Sequence, residues 1–161
     1  MIQYRLMEIT DCEKVAQLLQ INAQSQGGGL LGEYPLGKVK GMFASASHTV
    51  VAYENEHIVG VVFSFSPLAK ALPALAQYIT QHFAPIIENN WFYGPVCIDT
   101  AYRGKSILKS LYDTICAKQT GQPVAFINSS NIRSLKAHQK LGMQKIAEFT
   151  FEHILYYLVK P

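Results

Sequence analysis

The sequence predicts a mixed α/β fold of the α+β type. One mostly antiparallel sheet of six or seven strands carries helices on both faces, with a helical insertion between the third and fourth strands. Three observations predict it. Residues 48–53 and 57–65, and again residues 146–151 and 153–159, are strand-like pairs joined by short turns, which makes each pair an antiparallel hairpin. Residues 91–118, WFYGPVCIDTAYRGKSILKSLYDTICAK, read as a strand, a tight turn and an amphipathic helix. With the apolar PVAFIN at 123–128 they form a right-handed βαβ unit. Residues 67–90 interrupt the strand pattern with helical spacing.

In chain order, residues 2–9 alternate as a first strand. Thr10 or Asp11 caps a helix, with Glu13 near a capping-box position, and that helix buries Val15, Leu18, Leu19 and Ile21 or Asn22. Residues 24–41, QSQGGGLLGEYPLGKVKG, read as an irregular loop over a substrate, because three consecutive glycines forbid a stable helix. Within it, GEYPLGKV at 32–39 falls one residue short of a phosphate-binding P-loop. Val39 has no hydroxyl for a magnesium ion, Pro35 removes a cradling N–H, and no apolar strand precedes Gly32. Glu54-Asn55-Glu56 turns the first hairpin. In the insertion, Pro73 fits the first helical turn, Leu72, Leu75, Ala76, Ile79 and Phe83 share one face, and Pro85 ends the helix.

The fourth strand covers residues 91–99. Pro95, after Gly94, cannot donate to a ladder, so part of this strand is expected to be unpaired or bulged. The following helix buries Ile107, Leu108, Leu111, Tyr112 and Ile115 and stops at Thr120-Gly121. Ser130 or Asn131 caps a last helix, which ends at Gly142 with Met143 beyond it. The whole of 1–161 reads as a single domain with the insertion at 67–90.

Composition sets limits. The chain has 161 residues, 49% hydrophobic and 16% charged, which is globular rather than disordered. No apolar run reaches the ~18 residues of a membrane span. The opening MIQYRLMEITDCEK meets acidic residues early and lacks an apolar leader, so a cytoplasmic protein is expected. Cys12, Cys97 and Cys116 are odd in number and widely spaced, which argues against a disulfide framework or a metal site. Residues 103–145 hold eight basic residues and one acid, a balance of +7 against −4 for the remainder. Such asymmetry points to a polyanionic ligand. The turn at Arg103–Leu108 opens a helix, and a helix N-terminus offers unpaired N–H groups and about half a positive charge to an anion.

Two segments then resemble the GCN5-related N-acetyltransferase (GNAT) family. Val96-Cys-Ile-Asp-Thr-Ala-Tyr-Arg-Gly-Lys-Ser-Ile-Leu108 is similar to its acetyl-CoA segment, a strand leading into an Arg/Gln-x-x-Gly-x-Gly/Ala turn. Asn131-Ile-Arg-Ser-Leu-Lys-Ala-His-Gln-Lys-Leu-Gly-Met143 is similar to its second signature, Asn-x-x-Ser-x-x-x-Tyr-x-Lys-x-Gly-Phe. The order of elements matches over essentially the whole chain. Three departures stand out: Ser106 and Leu108 occupy glycine positions of the turn, Thr100 replaces a proline, and His138 replaces the tyrosine.

The resemblance implies an acetyl-CoA-dependent N-acetyltransferase acting on a primary amine of a small molecule or peptide by direct attack in a ternary complex. Acetyl-CoA is then the co-substrate and no metal is needed. The backbone of Val96, Cys97 and Ile98 is expected to pair with the pantetheine arm and polarise the thioester. The turn of Arg103, Gly104, Lys105, Ser106, Ile107 and Leu108 is expected to hold pyrophosphate, with Leu108 turned into the core, and Asn131 to bond the arm. His138 is the expected proton donor to the leaving thiolate, set against a second reading as a helix-face histidine satisfied by a backbone carbonyl.

No general base announces itself: Phe92 and Phe126 stand where the family sometimes places a carboxylate, and Glu33, Glu88, Tyr93 or water are the candidates. Tyr34 and Trp91 are expected near the acceptor. The alternative is a non-catalytic acyl-CoA-binding or sensing module. No nucleic acid or membrane partner is expected, and a homodimer is left open.

Overall fold

A computed structural model describes residues 1–161. Seven strands form one sheet: β1 (Gln3–Leu6), β2 (His48–Glu54), β3 (His57–Phe65), β4 (Trp91–Ile98), β5 (Pro123–Asn128), β6 (Gln144–Phe151) and β7 (Ile154–Lys160). Their spatial order is β1-β2-β3-β4-β5-β7-β6, and only β4 and β5 run parallel. Six helices accompany it: α1 (Cys12–Ile21), α2 (Leu36–Ser45), α3 (Ala74–His82), α4 (Ala84–Ile87), α5 (Ile107–Cys116) and α6 (Ile132–Lys140).

The two-residue period of the strands sorts the core into layers. Val51, Val61, Phe63 and Cys97 face α1 and α2 on one side. Val50, Val62, Tyr93, Ala125 and Ile127 face α5 on the other, where Leu135 of α6 and Leu141 just after it also pack. On the first side, but over the β5–β7–β6 half, the α3–α4 insertion packs Leu75, Ile79 and Ile87 on Phe92, Val124, Phe149 and Leu158. The face that holds α1 and α2 therefore also holds α3, with a groove between them.

Several expectations are corrected. The first strand is shorter than 2–9, because the chain turns at Ile9–Asp11 into a short 3-10 segment. Asp11 occupies the N-cap position of α1 without a side-chain cap bond to it; its carboxylate instead accepts from Glu8 N–H at 2.8 Å and pairs with Arg5. The irregular loop ends at Pro35, which opens α2. Gly37 and Gly41 weaken that helix intrinsically. Burial of Val39, fully enclosed, compensates by about 1.5–3 kcal/mol. Pro35 followed by Leu36, Val39 and Phe43 was the available signal. Pro85 ends α3 by starting α4 within its first turn. Of Ile21 and Asn22, it is Asn22 that is buried.

At Gly94-Pro95 the sheet opens. The β4–β5 pairing consists of Trp91 with Pro123 and Phe92 with Val124, and goes no further. Gly94 has φ +116, its peptide to Pro95 is cis, and the β3–β4 register shifts between Val62 and Ser64. Proline offers no N–H to a ladder, so β4 bends away. A gap remains between 95–98 of β4 and 125–128 of β5.

Candidate functional site

A cleft of about 1710 Å³ runs through this gap. It is bounded by β4 and β5, the turn before α5, α6, the glycine loop at 27–32, and the groove between α2 and α3.

Register fixes which β4 groups face the gap. Asp99 N–H donates to Val59 carbonyl at 2.8 Å, and Val61 lies opposite Cys97, so these alternate residues bond to β3. Val96 and Ile98 therefore direct their N–H and C=O groups into the gap. Cys97 does not: its backbone serves β3, and its buried thiol, pushed up to about 12 by desolvation, sits 3.8 Å from Leu18 carbonyl.

The turn follows. Asp99 accepts from Ala101 N–H at 2.9 Å and starts a short 3-10 turn over Thr100–Tyr102. Gly104 (φ +80) and Ser106 (φ +62) are both left-handed. Ser106 occupies the cap position of α5 without using its hydroxyl as a cap. The N–H groups of Ile107, Leu108 and Lys109 find no acceptor within the chain; the first bond is from Ser110 to Ser106 carbonyl at 3.2 Å. Alternating backbone hands ahead of a free helix terminus make an anion-binding concavity. Ile107 is buried, as expected. Leu108 is not core: it is half-buried and lines the cleft. Arg103 lines it too, its guanidinium 3.4 Å from Asn22 Oδ1. Lys105 lies outside, exposed, with its amine 5.0 Å above the Tyr102 ring.

Across the gap, Asn131 caps α6 by accepting from Ser134 N–H at 3.3 Å. His138, one turn further, is buried. Its Nδ1 lies 2.7 Å from Ser134 carbonyl and 3.3 Å from Ser134 Oγ, and its ring meets Tyr93 edge-on at 5.6 Å. A carbonyl only accepts, so Nδ1 carries the hydrogen and Nε2 is a bare acceptor in the neutral ring. Burial pushes this imidazole below the ordinary histidine value, against the opposing pull of the Ser134 carbonyl.

Sequence reasoning missed the glycine loop's part. A side chain at Gly28 would place Cβ 1.9 Å from Asn22 carbonyl oxygen, so only glycine lets the loop fold back on α1. Gly29 then lies against Asn131, where a Cβ would sit 3.0 Å from Nδ2. The triple glycine thus bridges α1 to the cap of α6. Trp91 does not shape the cleft; it is buried on the α5 side, donating from Nε1 to Gly121 carbonyl at 3.3 Å. Tyr34 does line it.

None of the carboxylate candidates reaches the site. Glu33 is exposed and held low by Gln20, and neither it nor Glu88 lines the cleft. The Tyr93 hydroxyl is buried without a partner and strongly raised by desolvation. The cleft contains no Asp or Glu at all, whereas Lys38, Arg103, Lys109, Arg133, Lys136 and Lys140 line it. No group of three His, Cys, Asp or Glu is placed to hold a metal, and no helix is long and apolar enough to cross a membrane.

No family model matches the sequence, and no curated protein matches it either. Solved structures do match. One from Streptococcus mutans UA159 superposes with a TM-score of 0.76 at 19% identity, over 99% of this chain and 98% of that one. An acetyltransferase of the GNAT family from Streptococcus pneumoniae gives 0.67 at 14%, over 100% and 98%. Arabidopsis thaliana NAA60, in complex with acetyl-CoA, gives 0.69 at 11%, over 100% and 98%. The likeness is one of architecture, and on it the chain has the GNAT fold.

Proposed function

We propose that this protein transfers the acetyl group of acetyl-CoA to a primary amine of a small molecule or peptide, by direct attack in a ternary complex. The observation that carries the proposal is the opening between β4 and β5. It has strand N–H groups free along one side and a free helix terminus at one end, on a fold shared with an acetyl-CoA complex.

The residues fit the ligand. The N–H groups of Ile107 to Lys109 and the α5 dipole suit a pyrophosphate. Arg103 and the cations of α6 suit its further negative charge. Val96 and Ile98 present alternate backbone groups to an amide-bearing arm, and a free N–H beside a thioester carbonyl stabilises the oxyanion. Asn131 bounds the arm from α6. When bound, acetyl-CoA supplies the activated acyl carbon.

The amine must arrive neutral. No carboxylate lines the cleft to hold an ammonium, and Lys38 on α2 stands apart from the cations assigned to the phosphates, which disfavours the charged amine and lowers its pKa. As the new C–N bond forms and the C–S bond breaks, one proton has to leave nitrogen and one has to reach sulfur. Neutral His138 suits the first task through Nε2, and the imidazolium so formed suits the second. Proximity of amine and thioester supplies much of the remaining rate.

Calorimetry with acetyl-CoA, followed by thiol release with a panel of amines, tests the proposal. Absence of binding heat at high concentration counts heavily against it. The carboxylate-free cleft also favours a second reading, a non-catalytic acyl-CoA module. Binding without turnover on any amine supports that reading, and turnover on one eliminates it.

A further inference from the structure

The groove between α2 and α3 lies on the sheet face opposite α5, at the closed end of the β4–β5 gap. Its floor is Phe65, Phe92 and Phe126, from three adjacent strands. Its walls are Leu31 on one side and Leu72 and Leu75 on the other. Phe65 packs against both the α1–α2 core and the α3 core, so it joins the two walls.

One charge edges this groove. The Lys38 amine donates to Glu33 carbonyl at 2.7 Å and lies 4.3 Å above the Tyr34 ring. Those two contacts hold an otherwise flexible side chain in place and leave donors unused. The other five cations of the cleft belong to α5, its turn, and α6.

We propose that the acceptor is a hydrophobic primary amine that also bears a carboxylate, an amino-acid-like molecule rather than a polyamine or a lysine side chain. This rests on the acetyltransferase reading above. The apolar body lies against the three phenylalanines and the leucines, where it replaces water. The carboxylate meets the Lys38 ammonium as a charge-assisted hydrogen bond. A second cation on the substrate finds no carboxylate side chain in the cleft, and Lys38, the one cation away from those assigned to the phosphates, opposes its entry.

The test compares L-phenylalanine, phenethylamine and spermidine as acceptors, with kcat/KM read from thiol release. L-Phenylalanine is expected to exceed spermidine by about tenfold or more. Lys38→Met is expected to lower the phenylalanine-to-phenethylamine ratio of kcat/KM by about fivefold, a shift that a purely structural lysine does not produce. Spermidine equal to or better than phenylalanine overturns the proposal, as does an unchanged ratio in Lys38→Met. Acetyl-CoA binding with phenylalanine inactive overturns this acceptor class alone. Absence of acetyl-CoA binding heat overturns the acetyltransferase reading and this one with it.

Discussion

His138 gives its Nδ1 hydrogen to the carbonyl of Ser134, one helical turn earlier and 2.7 Å away. That bond makes the resting imidazole an acceptor at Nε2, and burial keeps it neutral below the ordinary range. On the proposed mechanism, activity requires the deprotonated ring. The kcat/KM profile is expected to show two rises with pH, one with a midpoint below the usual histidine value of about 6.5 and a second, at higher pH, as the free amine loses its proton. His138→Phe should lower kcat by about tenfold to a hundredfold with little change in acetyl-CoA affinity. Steady-state kinetics beside calorimetry check both, and an unchanged kcat assigns His138 to packing.

The same group links folding to acid. Its folded pKa is depressed relative to the unfolded chain, so the native state binds fewer protons between the two values. Its contribution to stability is complete above about 6.5 and falls as pH drops from there toward the folded value. Thermal melts of wild type and His138→Gln between pH 5 and 8 are expected to converge at the acidic end, relative to their separation at neutral pH.

Ser106 adopts φ +62 where the resembled family has glycine. A left-handed non-glycine residue costs about 1–2 kcal/mol, and glycine's extra chain entropy returns about 0.5–1. Ser106→Gly is therefore expected to stabilise the fold by about 0.5–1 kcal/mol while preserving acetyl-CoA binding, since the free N–H groups of the turn remain. Ser106→Val places a β-branched residue in that conformation and should lose stability and affinity together. Urea denaturation and calorimetry on the two variants decide.

Asp11 receives both guanidinium nitrogens of Arg5, at 2.6 and 2.9 Å, and the Glu8 N–H at 2.8 Å. The Arg5 hydrogen bond, helped by that of Glu8, holds the carboxylate below its ordinary value. Asp11→Asn should cost about 1–2 kcal/mol at neutral pH. A depressed carboxylate stabilises fully above the unfolded value near 3.9 and loses its effect as pH falls through the folded value. The difference between the two proteins, read by denaturation, is accordingly expected to vanish in strong acid and nowhere else.

Six cations and no carboxylate line the cleft. Acetyl-CoA affinity is expected to fall severalfold between about 0.05 and 0.5 M salt, as the Debye length shrinks from over 10 Å to a few. Neutralising Arg133 and Lys136 together should flatten that dependence. Calorimetry across a salt series measures both slopes.

The strands, α5 and α6 were legible in the residues because their periodicity and caps are local: Asn131 caps α6, and Gly142 (φ +97) ends it. So was the irregularity at Gly94-Pro95, since proline removes a donor wherever it sits. The helix α2 was not, because its glycines hide it and its stability comes from Val39 reaching a core built by distant strands. Leu108 and Trp91 exchanged roles for a similar reason. Which side of a helix or strand faces a cavity depends on what packs opposite, and no local pattern records that.

By itself, then, the sequence determined the order of the strands, the free helix terminus after the turn at 103–108, and the spacing that carries Asn131 and His138. These follow from backbone chemistry and short-range periodicity. Only the tertiary structure decided that Val96 and Ile98, and not Cys97, face the opening, because a two-residue alternation takes its phase from the neighbouring strand. Only it brought the triple glycine against Asn131, stripped the cleft of carboxylates, and made His138 an acceptor. Each of those depends on groups distant in the chain meeting in space, or on a burial that the chain alone does not state.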